Sequence, residues 1–107
     1  MKEYAYMLYQ IKDPKTDYAW MNWKFAKDKI SITDYDGTYY GHISGEDPIA
    51  ILESLFEIFN IHRPEDFTGA SMSTSDIVVL IDDIGGKWYY CDSLGWKDIT
   101  EFLRERR

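Results

Sequence analysis

The chain is predicted to be α+β: a mainly antiparallel, twisted sheet carrying one long helix and a short C-terminal helix. Three observations predict this. Aromatic and β-branched runs recur between Asp-Pro, Asp-Gly and Gly-Gly turn signals. Only residues 48–60 carry a sustained helical period. The strands come in runs instead of alternating with helices, as a parallel βαβ array would require.

Tyr4–Ile11 reads as the first strand, closed by the Asp13-Pro14 turn. Ala19–Phe25 is expected as a second strand, although Trp20, Met21 and Trp23 cannot all face one way. Lys29–Tyr35 alternates Ile30 and Ile32 with Ser31 and Thr33, predicting a strand with one buried face. Asp36-Gly37 is a tight-turn signal, with Thr38–Ile43 returning as the hairpin partner. Asp47 caps the long helix and Pro48, which has no N–H to lose, fits its first position. Ile51, Leu52, Leu55, Phe56 and Phe59 then repeat at three- and four-residue spacing, with Glu53 and Glu57 on the wet side and Asn60 as the stop. Ile77–Ile81 is five apolar residues in a row, the signature of a strand buried on both faces. Gly85-Gly86 turns the chain into a partner strand, Trp88–Cys91. Asp98 caps a last helix, with Glu101 in the capping-box relation and Arg104, Arg106 and Arg107 toward its C-terminal end. The expected order is β-β-β-β-α-β-β-α in one domain, 1–107.

Composition narrows the function. The 107 residues carry a net charge of -7, unevenly spread: six Lys against four acids over residues 1–29, three cations against 13 acids over residues 30–98. A surface this acidic disfavours direct nucleic-acid binding. Hydrophobic residues at 45% and aromatics at 17% exclude a disordered acidic tail. A single Cys leaves no disulfide framework. No apolar run approaches a membrane span and no signal peptide is legible at the N-terminus, so a cytoplasmic protein is expected.

No cofactor or metal site is predicted. Gly85-Gly86-Lys87 lacks the rest of a phosphate loop, and Asp34-Tyr35-Asp36-Gly37 lacks the later ligands of a calcium loop. Cys91 inside Trp88–Cys91 reads as a buried thiol, and His42 and His62 as boundary residues. Asp82, Asp83 and Asp92 flank neighbouring strands and form one patch if the turn brings them together. The aromatics make the better candidates for binding. In Tyr39-Tyr40 and Tyr89-Tyr90 one ring can enter the core while the next faces out, unless helices cover both faces. The candidate binding set is therefore Asp34, Asp36, Tyr39, Tyr40, Asp82, Asp83, Tyr89, Asp92 and Trp96, with no catalytic residue assigned.

Ser73–Leu80, then Tyr89-Tyr90-Cys91-Asp92-Ser93-Leu94-Gly95-Trp96, then Ile99–Leu103 resemble the YodL-like domain family. The resemblance extends to Ile58–Gly69 and, more loosely, to Tyr9–Lys12 and 34–41. Cys91 stands where the pattern has valine, and Leu94 and Trp96 where it has phenylalanines. Its motif positions here are Ser75, Asp76, Asp92, Ser93 and Gly95. The resemblance implies a small domain of conjugative elements, plasmids and phages of Firmicutes, often beside antirestriction domains, with no catalytic residues to carry over. Ser75, Asp76, Asp92 and Gly95 also suit plain structural duties where strands begin and end.

The expected function is a non-catalytic acidic module that binds a basic host protein, such as a CRISPR nuclease or its nucleic-acid channel, and inhibits it. Two alternatives stay open. One is a hydrolase acting on nucleic acid or nucleotide through Asp82, Asp83 and Asp92 or through Cys91. The other is a structural or oligomerising domain, with a homodimer burying Tyr39 and Tyr89.

Overall fold

A computed structural model describes residues 1–105; Arg106 and Arg107, expected at the end of the last helix, lie outside the described residues. The elements are β1 (Lys2–Ile11), α1 (Trp23–Ala26), a 3-10 turn (Ile32–Asp34), β2 (Tyr35–Gly45), α2 (Pro48–Ile61), β3 (Ile77–Ile81), β4 (Gly86–Asp92), β5 (Gly95–Asp98) and α3 (Thr100–Glu105). The strands form one antiparallel sheet in the order β2-β1-β3-β4-β5. The fold is α+β, as predicted. Because β1 is antiparallel to both neighbours, β2 and β3 run parallel with β1 between them.

Side chains alternate across the sheet and feed two cores. Tyr4, Tyr6 and Leu8 of β1 and Val78 and Leu80 of β3 meet Ile51, Leu52, Leu55 and Phe59 of α2. Ile77, Val79 and Tyr90 enter the opposite core with Tyr18, Trp23, Ala26, Ile30 and Ile99, backed by Phe102 and Leu103. Segment 12–34 and α3 therefore form a second covering layer. This explains why β3 is apolar at every position: residues 77–80 are all buried, and only Ile81 at its end is exposed.

α2 begins as expected, with the Asp47 carboxylate accepting from Ala50 N–H at 2.9 Å and Pro48 at its first position. It passes Asn60 by one residue, and the Asn60 amide donates instead to the Phe56 carbonyl. The Asp98 carboxylate accepts from Thr100 N–H at 3.0 Å, at the start of α3. Glu101 pairs with Arg104 at 2.8 Å and makes no reciprocal cap.

The segment between β1 and α2 departs from expectation. Ala19–Phe25 is not a strand. Trp20 has φ 65, outside the extended region, and Asn22 then caps α1 by accepting from Phe25 N–H at 3.0 Å. Trp23 and Ala26, three apart, face the core. Lys29–Tyr35 is also not a strand: Ile30 is buried but Ile32 is exposed, and Ser31 caps the 3-10 turn.

Nor does Asp36-Gly37 turn the chain. Both residues lie inside β2, whose register against β1 shifts between Leu8 and Tyr9, leaving Thr38 as an extra residue. The bulge reverses the alternation. That is why Tyr35 and Tyr39, four residues apart, enter opposite cores. Gly41 is required by packing, because a Cβ there would lie 2.8 Å from the Tyr6 hydroxyl oxygen. Finally, β5 is a strand beyond those expected from the sequence; it completes a tight hairpin with β4 through Gly95, at φ 108.

Candidate functional site

The carboxylates expected to form a patch do not meet. Asp82 and Asp83 follow β3, whereas Asp92 ends β4 at the opposite edge of the β3–β4 pairing, where Ile81 faces Gly86 and Ile77 faces Tyr90. Six residues of extended chain separate Gly86 from Asp92, about 20 Å. Asp82 pairs with Lys2 at 2.8 Å and accepts from Ile84 and Gly85 N–H, which together lower its carboxyl to a pKa of about 2. Asp34 accepts from the Tyr18 hydroxyl at 2.8 Å, and Asp36 lies exposed, 4.0 Å from Lys12.

The aromatics are redistributed as well. Tyr89 and Tyr90 are both buried, because each face of the sheet is covered. The outward Tyr89 anchor is thereby corrected. Tyr39 and Trp96 pack half-buried against the α2-side core, with Tyr39 donating to Asp66 at 2.9 Å. Tyr40, paired with Met7, points to the other face and is exposed. Cys91 is buried, and burial pushes its thiol up to about 12. The native protein is accordingly expected to leave Cys91 unmodified by a thiol-reactive disulfide reagent at pH 8, with full reaction only after unfolding. Rapid labelling of the native state would contradict the buried position.

The residues that do converge are the motif positions, at the end of the sheet where β3 begins and β4 ends. Ser75 N–H donates to the Cys91 carbonyl at 2.9 Å, and Cys91 N–H to the Asp76 carbonyl at 2.8 Å. The buried Asp76 carboxylate accepts from Gln10 Nε2 and Ser73 N–H, both at 3.0 Å. No cation faces it in these contacts, and burial raises its pKa to about 7 against the lowering effect of those two donors. Tyr35 donates to the Ser75 carbonyl at 2.6 Å. Asp92 accepts from both Ser93 N–H and Trp23 N–H at 2.9 Å. The turn Ser93-Leu94 leaves Leu94 98% exposed.

A family model for the YodL-like domain matches residues 5–102. The chain belongs to the YodL-like domain family. It is also similar to the Bacillus subtilis (strain 168) protein YodL, at 28% identity over 72 residues that cover 64% of this chain and 69% of the relative. No solved structure matches the chain. Within this YodL-like domain, Ser75, Asp76 and Asp92 accept from backbone or amide donors, and Gly95 takes the positive φ of the β4–β5 turn.

The binding residues expected from the sequence leave out Trp20, Met21 and Phe25, which are 61%, 38% and 40% exposed. Asn22, three residues before Phe25, is the local signal that marks this segment as a helix start.

Proposed function

We propose that this YodL-like domain is a non-catalytic protein-binding module of a mobile genetic element that occupies a basic surface on a host nucleic-acid-directed defence protein, such as a CRISPR nuclease. One observation carries the reading: the α2 layer has a marked excess of acids over cations. Residues 46–66, which contain α2, hold Glu46, Asp47, Glu53, Glu57, Glu65 and Asp66 against Arg63. Segment 12–34, on the opposite face, holds five Lys against four Asp. Among the described residues none of the six acids forms an ion pair. Asp47 and Asp66 accept internal hydrogen bonds, which leaves Glu46, Glu53, Glu57 and Glu65; of these Glu53 and Glu57 stand one turn apart on the exposed side of α2 beside the partly exposed Phe56. Carboxylates around an apolar contact suit a basic partner, steering its approach and excluding acidic competitors. The class of partner is supplied by the mobile-element and antirestriction association that the resemblance implies.

The test is affinity capture from a bacterial host, read by mass spectrometry at low and high salt, with wild type and the double variant Glu53→Lys/Glu57→Lys. A basic nucleic-acid-directed protein is expected, retained about tenfold less by the variant and released at high salt. Capture that ignores both salt and charge reversal would sink the electrostatic reading.

A further inference from the structure

Among the described residues, Trp20 and Ser75 are the two non-glycine positions with left-handed φ, at 65 and 86, and they are bonded to each other: Trp20 N–H donates to Ser75 Oγ at 3.0 Å. Two further side chains of this sheet end hold the same loop. The Tyr90 hydroxyl donates to the Met21 carbonyl at 2.7 Å, and Asp92 accepts from Trp23 N–H at 2.9 Å. The loop is thus gripped at residues 20, 21 and 23 by groups 55 to 69 positions away in sequence. A bulky side chain in the left-handed region is strained, and strain of this kind persists only where surrounding bonds over-determine it. The same loop turns the Trp23 indole into the core and leaves Trp20 61% exposed, beside the exposed Met21. Leu94 stands out from the neighbouring turn, whose Ser93 N–H shares the Asp92 oxygen with Trp23.

We propose that Ser75, Tyr90 and Asp92 are positioning residues for Trp20, which docks into an apolar pocket rimmed by carboxylates on a partner protein. Charge sets the partner's chemistry. Residues 20–29 hold Lys24, Lys27 and Lys29 against Asp28, a positive segment on a chain of net charge -7. Lys24 and Lys27 are exposed and form no ion pair among the described residues. Lys29 lies over the Phe25 ring at 5.2 Å, with Asp17 at 3.8 Å. Of the other carboxylates bonded to this layer, Asp34 and Asp92 accept internal hydrogen bonds, Asp13 accepts from Lys15 N–H and Asp17 is taken up by Lys29, which leaves Asp28 against the open charges of Lys24 and Lys27. A single indole fixed in one backbone conformation matches a shaped protein pocket. A lipid surface or a phosphate chain offers no shaped apolar pocket that such fixing would match. This surface lies on the sheet face opposite α2, so it stands or falls independently of the acidic-layer reading.

The probe is a phage-displayed library of random peptides of about twelve residues, selected on the wild-type protein and counter-selected on Trp20→Ala. The expected winners carry an apolar residue flanked by Asp or Glu. As synthetic peptides they should lose about tenfold or more in affinity toward Trp20→Ala, whose thermal midpoint stays at the wild-type value. Ser75→Ala, with Trp20 intact, should weaken the same peptides several-fold and speed amide exchange at Trp20. Lys24→Glu/Lys27→Glu should also weaken them, whereas Glu53→Lys/Glu57→Lys should not. Failure to select any Trp20-dependent peptide, or selection of Lys- and Arg-rich ones, overturns the proposal. So does Trp20-dependent binding found only with an oligonucleotide or with phosphatidylcholine vesicles carrying about a third phosphatidylglycerol.

Discussion

The Asp76 carboxyl is expected to make folding stability fall between about pH 4 and pH 7, and replacing Asp76 by asparagine to flatten that fall. The carboxylic acid is buried among Gln10, Ser73, Tyr35, Tyr90 and Cys91 with no cation among its bonded partners, so burial holds its pKa near 7 against an ordinary value of 3.8. A raised folded-state pKa means that the folded state binds the proton more tightly than the unfolded one. Stability from this group is full below about pH 4 and declines as pH rises through 7, by about 4 kcal/mol in all. Asp82 acts in the opposite sense and in a separate window: its lowered pKa of about 2 contributes stability above pH 4 that is lost on acidification. Denaturant titrations of wild type and Asp76→Asn from pH 4 to 8 isolate the effect, because every other group cancels in the difference. A difference that does not vary with pH would show that the carboxyl titrates normally.

The second large effect is expected at Phe59. Its ring is fully buried and meets Tyr6, Tyr39 and Phe67 edge-on, with centroids at 6.2, 5.3 and 4.9 Å. It therefore joins α2, both strands of the β1–β2 pair and the loop after α2 in one aromatic cluster. Phe59→Ala removes the shared partner of three rings and leaves a cavity, at a cost of about 3–5 kcal/mol. Phe56→Ala, one turn earlier and 38% exposed, should cost about 1 kcal/mol, clearly less. A lower urea midpoint at unchanged m-value identifies the cavity as the cause. Equal effects at the two positions would mean that α2 is packed differently.

Where local chemistry decides, the sequence was readable. The Asp47-Pro48 cap and the spacing of Ile51, Leu55 and Phe59 define α2 without outside help. Ile77–Ile81 announced burial on two faces, although the layer covering the second face was unrecognised. Illegibility concentrated in residues 12–41, where distant groups override local pattern. Ile30 and Ile32 alternate like a strand, yet only Ile30 reaches the core. Asp36-Gly37 carries the residues of a turn, but the bulge at Thr38 lets the chain run straight through. The shape of the Trp20 loop depends on Ser75, Tyr90 and Asp92, and no window of ten residues contains that information. The candidate site shared this fate. Its motif residues were identifiable, but what they hold was not.

The central place of β1 bears on how the chain acquires its structure. Tyr6 pairs with Leu80, 74 positions later, so the middle of the sheet cannot close until β3 is available. At a synthesis rate of about 5–20 residues per second, β1 waits roughly 4–15 s on the ribosome for that partner. During the delay β1 has only β2 to pair with, and contacts of such long range make for slow folding. Slower translation lengthens that wait, which ends only when the finished sheet covers β1 from both sides.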